Sequence, residues 1–542
     1  MPQGATCAGC AGPVAARAGR PLTSQPFRPI WGGSAFSPRR PTSISQPEAQ
    51  PVNRSLPLIL AVALFMEQMD STVIATSLPA IAEDIGTSPV TLKLALTTYL
   101  VALAVFIPVS GWMADRFGAK RVFRLAIGVF VIGSVACAIS NSLLAFVLAR
   151  FLQGMGGAMM TPVGRLVLVR ATPKNRLVSA MAWLTVPALV GPVVGPPLGG
   201  FITTYFSWHW IFLINVPIGL AGIHLSGRVL PEFEPQAEER LDVKGFVLSG
   251  LAASGLVFGL SVVSLPALPP AVGLATVAAG LAMGWLYARH ARQAPQPILD
   301  LRLFSIRAFR AAIIGGSLFR IGAGAVPFLL PLMFQIGFGM TPFQSGMLTF
   351  SSALGAIAMK FIATATLRMA GFRLTLVLAA LLGSVLIAAN ALFTPATSAA
   401  VIIAVLAAAG FFRSLFFTSA NALVFAEIGE REASQATAIA AASQQISIAL
   451  GVAVGAGVLE ATVQMTGAEL GLDAFANAFV IVALLTALAA LPFLNLPADT
   501  GSAVSGHRRR RMESEEPALA AERSSAPAAH SPAFPLKPLA SR

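Results

Sequence analysis

Charged residues are scarce in this chain of 542 residues. Asp, Glu, Lys and Arg together make up 11% of it, whereas soluble globular domains average about 25%. The hydrophobic fraction is 56% and the mean hydropathy is +0.75. Water therefore cannot be the solvent for most of the surface, and the composition excludes an ordinary soluble domain.

Cysteine is also rare, and several catalytic motifs are missing. Three cysteines (Cys7, Cys10 and Cys137) are too few for a disulfide framework. The Cys7-x-x-Cys10 pair has no second pair of zinc ligands, so we predict no metal site. The sequence has no G-x-x-x-x-G-K-[ST] phosphate loop, which argues against ATP hydrolysis. The apolar segments hold no histidine cluster or nucleophile–base pair, which argues against an enzyme.

Long apolar runs are abundant and continuous. A membrane β-barrel needs strands of about ten residues with alternating polarity, whereas these runs extend over roughly twenty residues, the length of a membrane-spanning helix. We therefore predict an all-α membrane protein with fourteen spans. The spans are expected to begin near Leu56, Thr91, Val122, Leu143, Leu177, Trp210, Val243, Ala271, Ala311, Phe343, Leu374, Ser398, Ser434 and Ala474.

The two ends of the chain differ from the middle. Residues 1–54 and 497–542 are rich in Pro, Ser and Arg and contain no long apolar run. Such composition is typical of disordered segments, and the first of them lacks the apolar core of a signal peptide. We predict two disordered basic tails.

The net charge of +14 and the pI near 10.9 could suggest nucleic acid binding, but cytoplasmic loops of membrane proteins also concentrate Lys and Arg. Every second connection between spans is basic, and the intervening ones are neutral or acidic. This alternation favours an even number of spans with both tails in the cytoplasm, and no nucleic acid partner. The cations of the basic connections are Arg116, Lys120, Arg121, Arg124, Arg170, Lys174, Arg176, Arg228, Arg240, Lys244, Arg289, Arg292, Arg302, Arg307, Arg310, Arg368, Arg373 and Arg431.

A weak internal repeat is visible. The segment ADRFGAKRVF from Ala114 recurs as LRMAGFRLTL from Leu367, which places Gly118 opposite Gly371. Paired halves with a site at their interface are a recurrent plan of transporters. We expect six-helix halves over 55–230 and 309–496, with two extra helices and a linker over 231–308.

Five ionisable residues fall inside predicted spans: Glu67, Asp70, Arg150, Arg320 and Arg413. Each is costly in hydrocarbon, about 2.5–3.5 kcal/mol on insertion scales, so each requires a functional or structural reason. Glu67 and Asp70 are three residues apart and share a helix face. Two carboxylates this close cannot both ionise cheaply, so the pair can hold and release a proton. The alternative is that one of them is a structural hydrogen-bonding group.

Depth links Asp70 to Arg150. Asp70 lies roughly 21 Å from the cytoplasmic face and Arg150 roughly 10 Å from the outer face of a core about 30 Å thick. The two residues are therefore level. Arg150 would keep Asp70 ionised until a proton or a cationic substrate competes. We expect Asp70 to be the exchangeable carboxylate and Glu67 to tune it or to contact substrate.

Four motifs lie in order over residues 70–219. They are MDSTVIATSLPAI from Met69, GWMADRFGAKR from Gly111, LARFLQGMGGAM from Leu148, and GPVVGPPLGG from Gly191, the last followed by SWHWIFLINVPIG from Ser207. Together they resemble the major facilitator superfamily, specifically its fourteen-helix drug:proton antiporter branch of the EmrB/QacA type. The chain departs from that branch at Thr76, where Asn is usual, and the repeat from Leu367 lacks the Asp of the first loop.

The resemblance implies the major facilitator fold, with two six-helix halves and two inserted helices. It also implies efflux of small amphipathic molecules or drugs across the cytoplasmic (inner) membrane, driven by proton antiport without a cofactor. Two alternatives stay open: a dedicated exporter of one metabolite, and a non-transporting receptor or assembly protein. The expected partners are the substrate, protons and the bilayer, and a periplasmic adaptor is left open.

The loop after the second span resembles the cytoplasmic gate of this superfamily. In the family the loop latches against neighbouring helix ends and holds the outward-facing state. A plain positive-inside loop would explain its cations but not Asp115, so we favour a gate. Its residues are Gly111, Asp115, Arg116, Gly118, Lys120 and Arg121.

The fifth span carries prolines in mid-helix, where each removes a backbone hydrogen bond, beside glycines that permit close helix approach. Packing alone could explain this stretch, but the resemblance implies a further role in preventing leak. Its residues are Gly191, Pro192, Gly195, Pro196, Gly199 and Gly200.

Arg320 and Arg413 lie in mid-span in the second half, with no acidic neighbour evident in the sequence. They could bind backbone carbonyls and be structural. They could equally line a cavity and favour an anionic or zwitterionic substrate. The sequence leaves these two readings open.

Overall fold

The computed structural model describes residues 55–172, 177–232, 241–263, 269–429, 432–467, 469–497 and 500–502. The tail predicted over 1–54, nearly all of the tail predicted over 497–542, and the Cys7-x-x-Cys10 pair lie outside the described residues. So do four cations of the predicted basic connections, Lys174, Arg176, Arg240 and Arg431.

Eight helices form the first helical set. Their bounds are α1 Ser55–Val73, α2 Leu78–Ile85, α3 Lys93–Phe117, α4 Ala119–Ala138, α5 Leu143–Ala171, α6 Leu177–Tyr205, α7 Trp210–Leu213 and α8 Asn215–Val229. A 3₁₀ turn, Ile74–Thr76, extends α1. Two short helices, α2 and α7, lie in connections between the long ones.

Two helices, α9 Val243–Val263 and α10 Pro270–Gln293, follow the first set. The second helical set then comprises α11 Arg307–Leu332, α12 Pro342–Ala389, α13 Ala399–Val424, α14 Ala433–Thr466, α15 Leu472–Leu488 and α16 Leu491–Leu494. Side chains of Ser142, Thr341 and Ser398 accept backbone N–H groups at the starts of α5, α12 and α13. Such caps satisfy donors that the helix itself leaves free.

Among the described residues, thirteen stretches are long and apolar enough to cross a membrane, and α12 contributes two of them. The 29-residue α6, Leu177–Tyr205, stands where the fifth span is predicted. Each predicted span begins within several residues of an observed one. The prediction of an all-helical membrane protein is confirmed, and its fourteen spans agree with these thirteen stretches plus α6.

The internal repeat has a backbone counterpart. Gly118 separates α3 from α4 with φ of 87°, and Gly371 interrupts α12 with φ of 67°. Positive φ strains residues that carry a Cβ, so glycine is favoured at both sharp turns. Eight spans separate the two turns, so both turns lie at the same end of the bundle, which also carries the described cations Arg116, Lys120, Arg368 and Arg373. We call it the basic end, and the other the opposite end.

The two helical sets meet at the opposite end. One hydrophobic cluster there contains Val73 and Phe146 of the first set together with Phe328 and Leu459 of the second. At the basic end, among the described residues, the clusters are separate: one belongs to the first set and one to the second set with the linker before it. The core therefore closes the space between the sets at one end of the bundle.

Polar contacts join the sets at the same end. Gln335 Nε2 donates to the Thr76 carbonyl at 3.0 Å, and the Phe343 N–H donates to Thr204 Oγ1 at 3.1 Å. Gly200 lies so close to Pro342 that a Cβ would overlap its carbonyl oxygen. This contact explains a glycine at position 200, since a larger residue would separate α6 from α12.

Helices α9 and α10 pack against each other through glycines, and a Cβ at Gly255 would lie 2.7 Å from the Gly280 Cα. Asp242, before α9, accepts from the Gly245 N–H at 2.8 Å and contacts His290 Nε2 at 2.7 Å. Burial opposes ionisation of Asp242, but these bonds and that of the Ile298 N–H outweigh it and lower its pKa. Asp242 thus ties α9, α10 and the linker together.

Candidate functional site

A cavity of about 260 Å³ lies between the two helical sets, near the middle of the spans. Helices α1, α3 and α5 of the first set and α11, α13 and α14 of the second contribute to its wall. Apolar side chains form part of the lining, including Leu100, Phe328, Phe417 and Val452. The polar lining includes Glu67, Gln68, Tyr99, Arg150, Arg320, Arg413, Gln444 and Gln445.

Asp70 and Arg150 form a buried ion pair beside this cavity. Arg150 Nη1 donates to Asp70 Oδ2 at 2.7 Å, and the two side chains are 1% and 0% exposed. The other carboxylate oxygen accepts from Gln153 Nε2 at 2.8 Å and Asn215 Nδ2 at 3.0 Å. Three donors from two helices, α5 and α8, therefore bind both oxygens of the Asp70 carboxylate.

A second layer fixes these donors. Gln153 Nε2 also donates to Ser134 Oγ at 2.8 Å, and Gln153 Oε1 accepts from Arg150 Nη1 at 2.5 Å. Gly133 of α4 permits this arrangement, since a Cβ there would lie 2.6 Å from the Gln153 Cα. The guanidinium of Arg150 lies 4.2 Å from the centre of the Tyr99 ring, which adds a cation–π contact. The pair is thus rigidly held.

Glu67 has a different environment from Asp70. Among the described residues its carboxylate accepts one hydrogen bond, from Thr161 Oγ1 at 2.6 Å, and Glu67 is 5% exposed and lines the cavity. Residues three apart on a helix differ by about 60° in direction, which turns Glu67 to the cavity and Asp70 to α5 and α8. The sequence predicted one shared helix face for the two carboxylates. In the structure Glu67 faces the cavity, whereas Asp70 faces the packed interface.

Tyr99 adds an unused donor to the cavity wall. Its side chain is 1% exposed, and its hydroxyl has no hydrogen-bond partner among the described residues. A buried hydroxyl without a partner is destabilising by roughly 1–3 kcal/mol. Because Tyr99 lines the cavity, a bound molecule could supply the missing partner.

Arg320 and Arg413 both line the cavity from the second set. Arg320 Nη2 donates to Asn421 Oδ1 at 3.0 Å, with its guanidinium 5.0 Å from the centre of the Phe417 ring. Arg413 Nη2 donates to Ser352 Oγ at 3.1 Å. Within the described part of the chain, neither forms a salt bridge with a carboxylate.

The predicted gate lies at the basic end. Asp115 Oδ1 accepts from Arg170 Nη2 at 2.7 Å, and Lys120 Nζ lies 3.5 Å from Glu232 Oε1. Arg116, Arg121 and Gly111 are exposed, and a Cβ at Gly111 would meet no atom within 4 Å. Among the described residues, the salt bridge of Asp115 stays within the first set, since Arg170 belongs to α5.

The glycines of α6 pack against the backbone of α1. A Cβ at Gly191 would lie 2.9 Å from the Phe65 carbonyl oxygen, one at Gly195 would overlap the Thr72 hydroxyl, and one at Gly199 would overlap the Val73 carbonyl. The spacing of four residues places all three glycines on one face of α6. The helix runs through Pro192 and Pro196 without interruption. This packing holds the part of α1 that bears the two carboxylates.

Sequence reasoning missed several residues of the site. Gln153 and Asn215 stand within motifs quoted above, but their role depends on contacts between helices that no motif specifies. Gln444 and Gln445 are adjacent amides in an apolar span, a signal that could have marked a cavity. Within the described residues, no group of three His, Cys, Asp or Glu side chains could hold a metal ion.

The fold and the site together define a class. A bundle of membrane-spanning helices encloses, between two sets of helices, a polar cavity that is closed at one end. Buried charges line or adjoin this cavity. This is the architecture of a membrane carrier, whose substrate site is reached from one side at a time.

Comparison with protein families identifies that carrier class. The model of the Major Facilitator Superfamily matches residues 60–451 and again 312–541. The chain therefore belongs to the major facilitator superfamily, and the predicted family is confirmed. It is a non-enzymatic membrane transporter.

Similar proteins indicate which branch of the superfamily the chain resembles. The chain is 35% identical over 446 residues to "Putative multidrug resistance protein MdtD" of Serratia proteamaculans, which covers 82% of this chain and 93% of the relative. The protein of that name from Escherichia coli O139:H28 is 35% identical over 458 residues, covering 84% and 97%. "Probable transport protein HsrA" of Haemophilus influenzae is 37% identical over 401 residues, covering 74% and 86%. The two MdtD relatives support the multidrug branch that the motifs resemble.

Solved structures share the fold at low identity. A D-xylose–proton symporter aligns with a TM-score of 0.60 and 15% identity, covering 82% of this chain and 98% of that one. The POT family transporter PepTSo aligns with a TM-score of 0.62 and 14% identity, with the same coverage. Both likenesses support the major facilitator fold.

Proposed function

We propose that this protein exports small amphipathic molecules, including drugs, in exchange for protons. The observation that carries the proposal is the pairing of a cavity-facing acid, Glu67, with a buried ion pair, Asp70–Arg150, next to it. The names of the MdtD relatives favour multidrug export over a dedicated metabolite exporter. A receptor or assembly protein would have no use for such costly buried charges.

The distribution of cations sets the orientation in this proposal. Lys and Arg concentrate in loops at the basic end, and positively charged loops stay in the cytoplasm. The basic end, and with it both tails, is then cytoplasmic, in the inner membrane. The opposite end, where the hydrophobic cluster joins the sets, faces outward. The structure then corresponds to an inward-facing state.

The proton carrier in this scheme is Glu67 rather than Asp70. The carboxylate of Asp70 is held by three donors and does not line the cavity, so a proton placed on it would displace at least one of these hydrogen bonds. Glu67 has one hydrogen bond and direct access to the cavity. The Asp70–Arg150 ion pair beside Glu67 has no net charge. Protonation of Glu67 therefore decides the net charge of this part of the cavity wall. This assignment revises the expectation from depth alone, which favoured Asp70.

The exchange cycle follows from competition at one carboxylate. In the outward-facing state Glu67 takes a proton, and in the inward-facing state a substrate with a cationic group displaces it. The proton then leaves to the cytoplasm. Such a carrier needs no cofactor, since the proton motive force drives it. Exchange is coupled because each ligand lowers the affinity for the other.

Alternating access requires that the basic end close. We propose that 55–230 and 309–496 rock against each other, with 231–308 as an insert, and that the loop around Asp115 then contacts the second set. Gly111 faces open space in this conformation. In the closed state the second set would pack against it, which explains a small residue at this position. The α6 glycines that hold α1 would limit leak by keeping the α1–α6 seam tight.

Everted membrane vesicles test this function. Adding a cationic, neutral or anionic compound to vesicles energised by respiration should release protons for those compounds that are substrates, read with a pH-sensitive dye. Vesicles with the Glu67→Gln variant should release none. Energy-dependent uptake without any proton release would refute antiport while leaving export intact.

A further inference from the structure

Among the residues that the structure describes, the two arginines of the second set place positive charge at the cavity without a carboxylate partner. Arg320 is 6% exposed, and Arg413 is partly buried. Each guanidinium carries five N–H donors, and the bonds found go to the neutral oxygens of Asn421 and Ser352. Burying a cation is costly unless an anion compensates it. A bound anion would compensate both.

The first set contributes the opposite charge. Arg150 also reaches the cavity wall, but Asp70 already neutralises it at 2.7 Å. Glu67 is the carboxylate on the described cavity lining. The charges that are free to meet a ligand are therefore segregated: an acid on α1, and two cations on α11 and α13.

The rest of the wall suits an amphipathic molecule. Leu100, Phe328 and Phe417 supply apolar surface, while Gln444 and the unpartnered hydroxyl of Tyr99 supply hydrogen-bonding groups. Pockets for drug-sized ligands occupy about 300–1,000 Å³, so a cavity of about 260 Å³ favours a small ligand. An aromatic or aliphatic body with polar ends would match this wall.

The sign of the coupling discriminates between ligand charges. A simple anion at Arg320 and Arg413 would bind better once Glu67 is protonated, because protonation removes a negative charge from the same cavity. Reciprocity then makes the anion favour proton binding, which gives cotransport. A cationic group at Glu67 competes with the proton, which gives exchange.

We propose that the cavity binds an amphipathic zwitterion, with its cationic group at Glu67 and its anionic group between Arg320 and Arg413. This substrate class rests on the proposed antiport function. It is the ligand class that satisfies the two uncompensated cations and also competes with the proton. The ligand would bridge the two helical sets.

Matched compounds test the assignment. Tryptophan and phenylalanine are zwitterions, their methyl esters are cations, and their N-acetyl derivatives are anions of nearly the same shape. Binding of all six to the purified full-length protein in lipid nanodiscs is measured by isothermal titration calorimetry. The zwitterion of each series should bind about tenfold or more tightly than either capped form.

Variants then locate each charge. Arg320→Gln and Arg413→Gln should remove the preference for the zwitterion over its methyl ester, and Glu67→Gln should remove the preference over the N-acetyl form. Arg302→Gln changes an exposed cation outside the cavity, and it should alter neither preference. Thermal unfolding of each variant shows that the protein is folded, so that lost binding is not lost structure.

Three results would overturn the zwitterion assignment. They are tightest binding of the methyl ester with no change in either arginine variant, tightest binding of the N-acetyl form, and no binding by any zwitterion below about 1 mM. The antiport function fails separately. Selective zwitterion binding without proton release in everted vesicles would preserve the substrate class and reject exchange. Proton release by the methyl esters alone would preserve exchange and reject the zwitterion as substrate.

Discussion

Replacing either carboxylate of α1 by an amide should impair the protein in a different way: Glu67→Gln should lose proton coupling, and Asp70→Asn should lose stability. In Glu67→Gln, the amide oxygen still accepts from Thr161, so we expect a loss of about 1 kcal/mol or less in the free energy of unfolding. Titration is removed, however, and proton-driven efflux should be abolished. Glu67→Asp keeps an acid on the cavity and should retain part of the coupling.

Asp70→Asn should instead damage the structure. It leaves the buried guanidinium of Arg150 without its anion and turns an amide toward the donors of Gln153 and Asn215. Removing one partner of a buried ion pair is destabilising by about 3–5 kcal/mol. We expect low expression and a clearly reduced melting temperature in detergent, rather than a folded and uncoupled carrier.

The assay compares both variants and Glu67→Asp at matched protein levels in proteoliposomes. It reads drug-dependent proton movement together with thermal unfolding by intrinsic fluorescence. If Glu67→Gln kept full coupling while Asp70→Asn was stable and uncoupled, the proton would belong to Asp70. The reasoning from exposure and hydrogen bonding would then be refuted.

Three further predictions concern packing and orientation. Gly195→Ala should lower the melting temperature, by overpacking of about 1–3 kcal/mol, whereas Gly111→Ala should not, and equal effects would contradict the packing described. Gly111→Leu should leave ligand binding to this conformation intact but slow transport in vesicles. Transport by this variant at the wild-type rate would show that the second set does not close over Gly111. Single cysteines at Ser45 and Ser525 should resist a membrane-impermeant reagent in intact cells, and labelling of either would reverse the orientation.

Periodicity and charge predicted much of the fold. Apolar runs fixed the positions of the spans because lipid requires each to be about twenty residues long. The weak repeat placed Gly371 opposite Gly118, and both have the positive φ that a sharp turn between spans requires. These features are local, so the sequence carries them directly.

The site depends on contacts that the sequence carries only in part. Depth placed Asp70 level with Arg150, and the two side chains are in contact. Which carboxylate faces the cavity depends on the rotation of α1, and that rotation is set by glycines of α6 far along the chain. The orientation of Arg320 and Arg413 likewise depends on helix packing, which turns both side chains toward the cavity.

Proton release on substrate binding tests the central claim most directly. The purified protein is titrated, near neutral pH, with the compound from the vesicle panel that gives the largest proton signal, in buffers of different ionisation enthalpy. We predict release of a measurable fraction of a proton, up to one per bound molecule, in the wild type and none in Glu67→Gln, because the two ligands compete at Glu67. Release of the same proton by Glu67→Gln, or none by the wild type, would contradict the account.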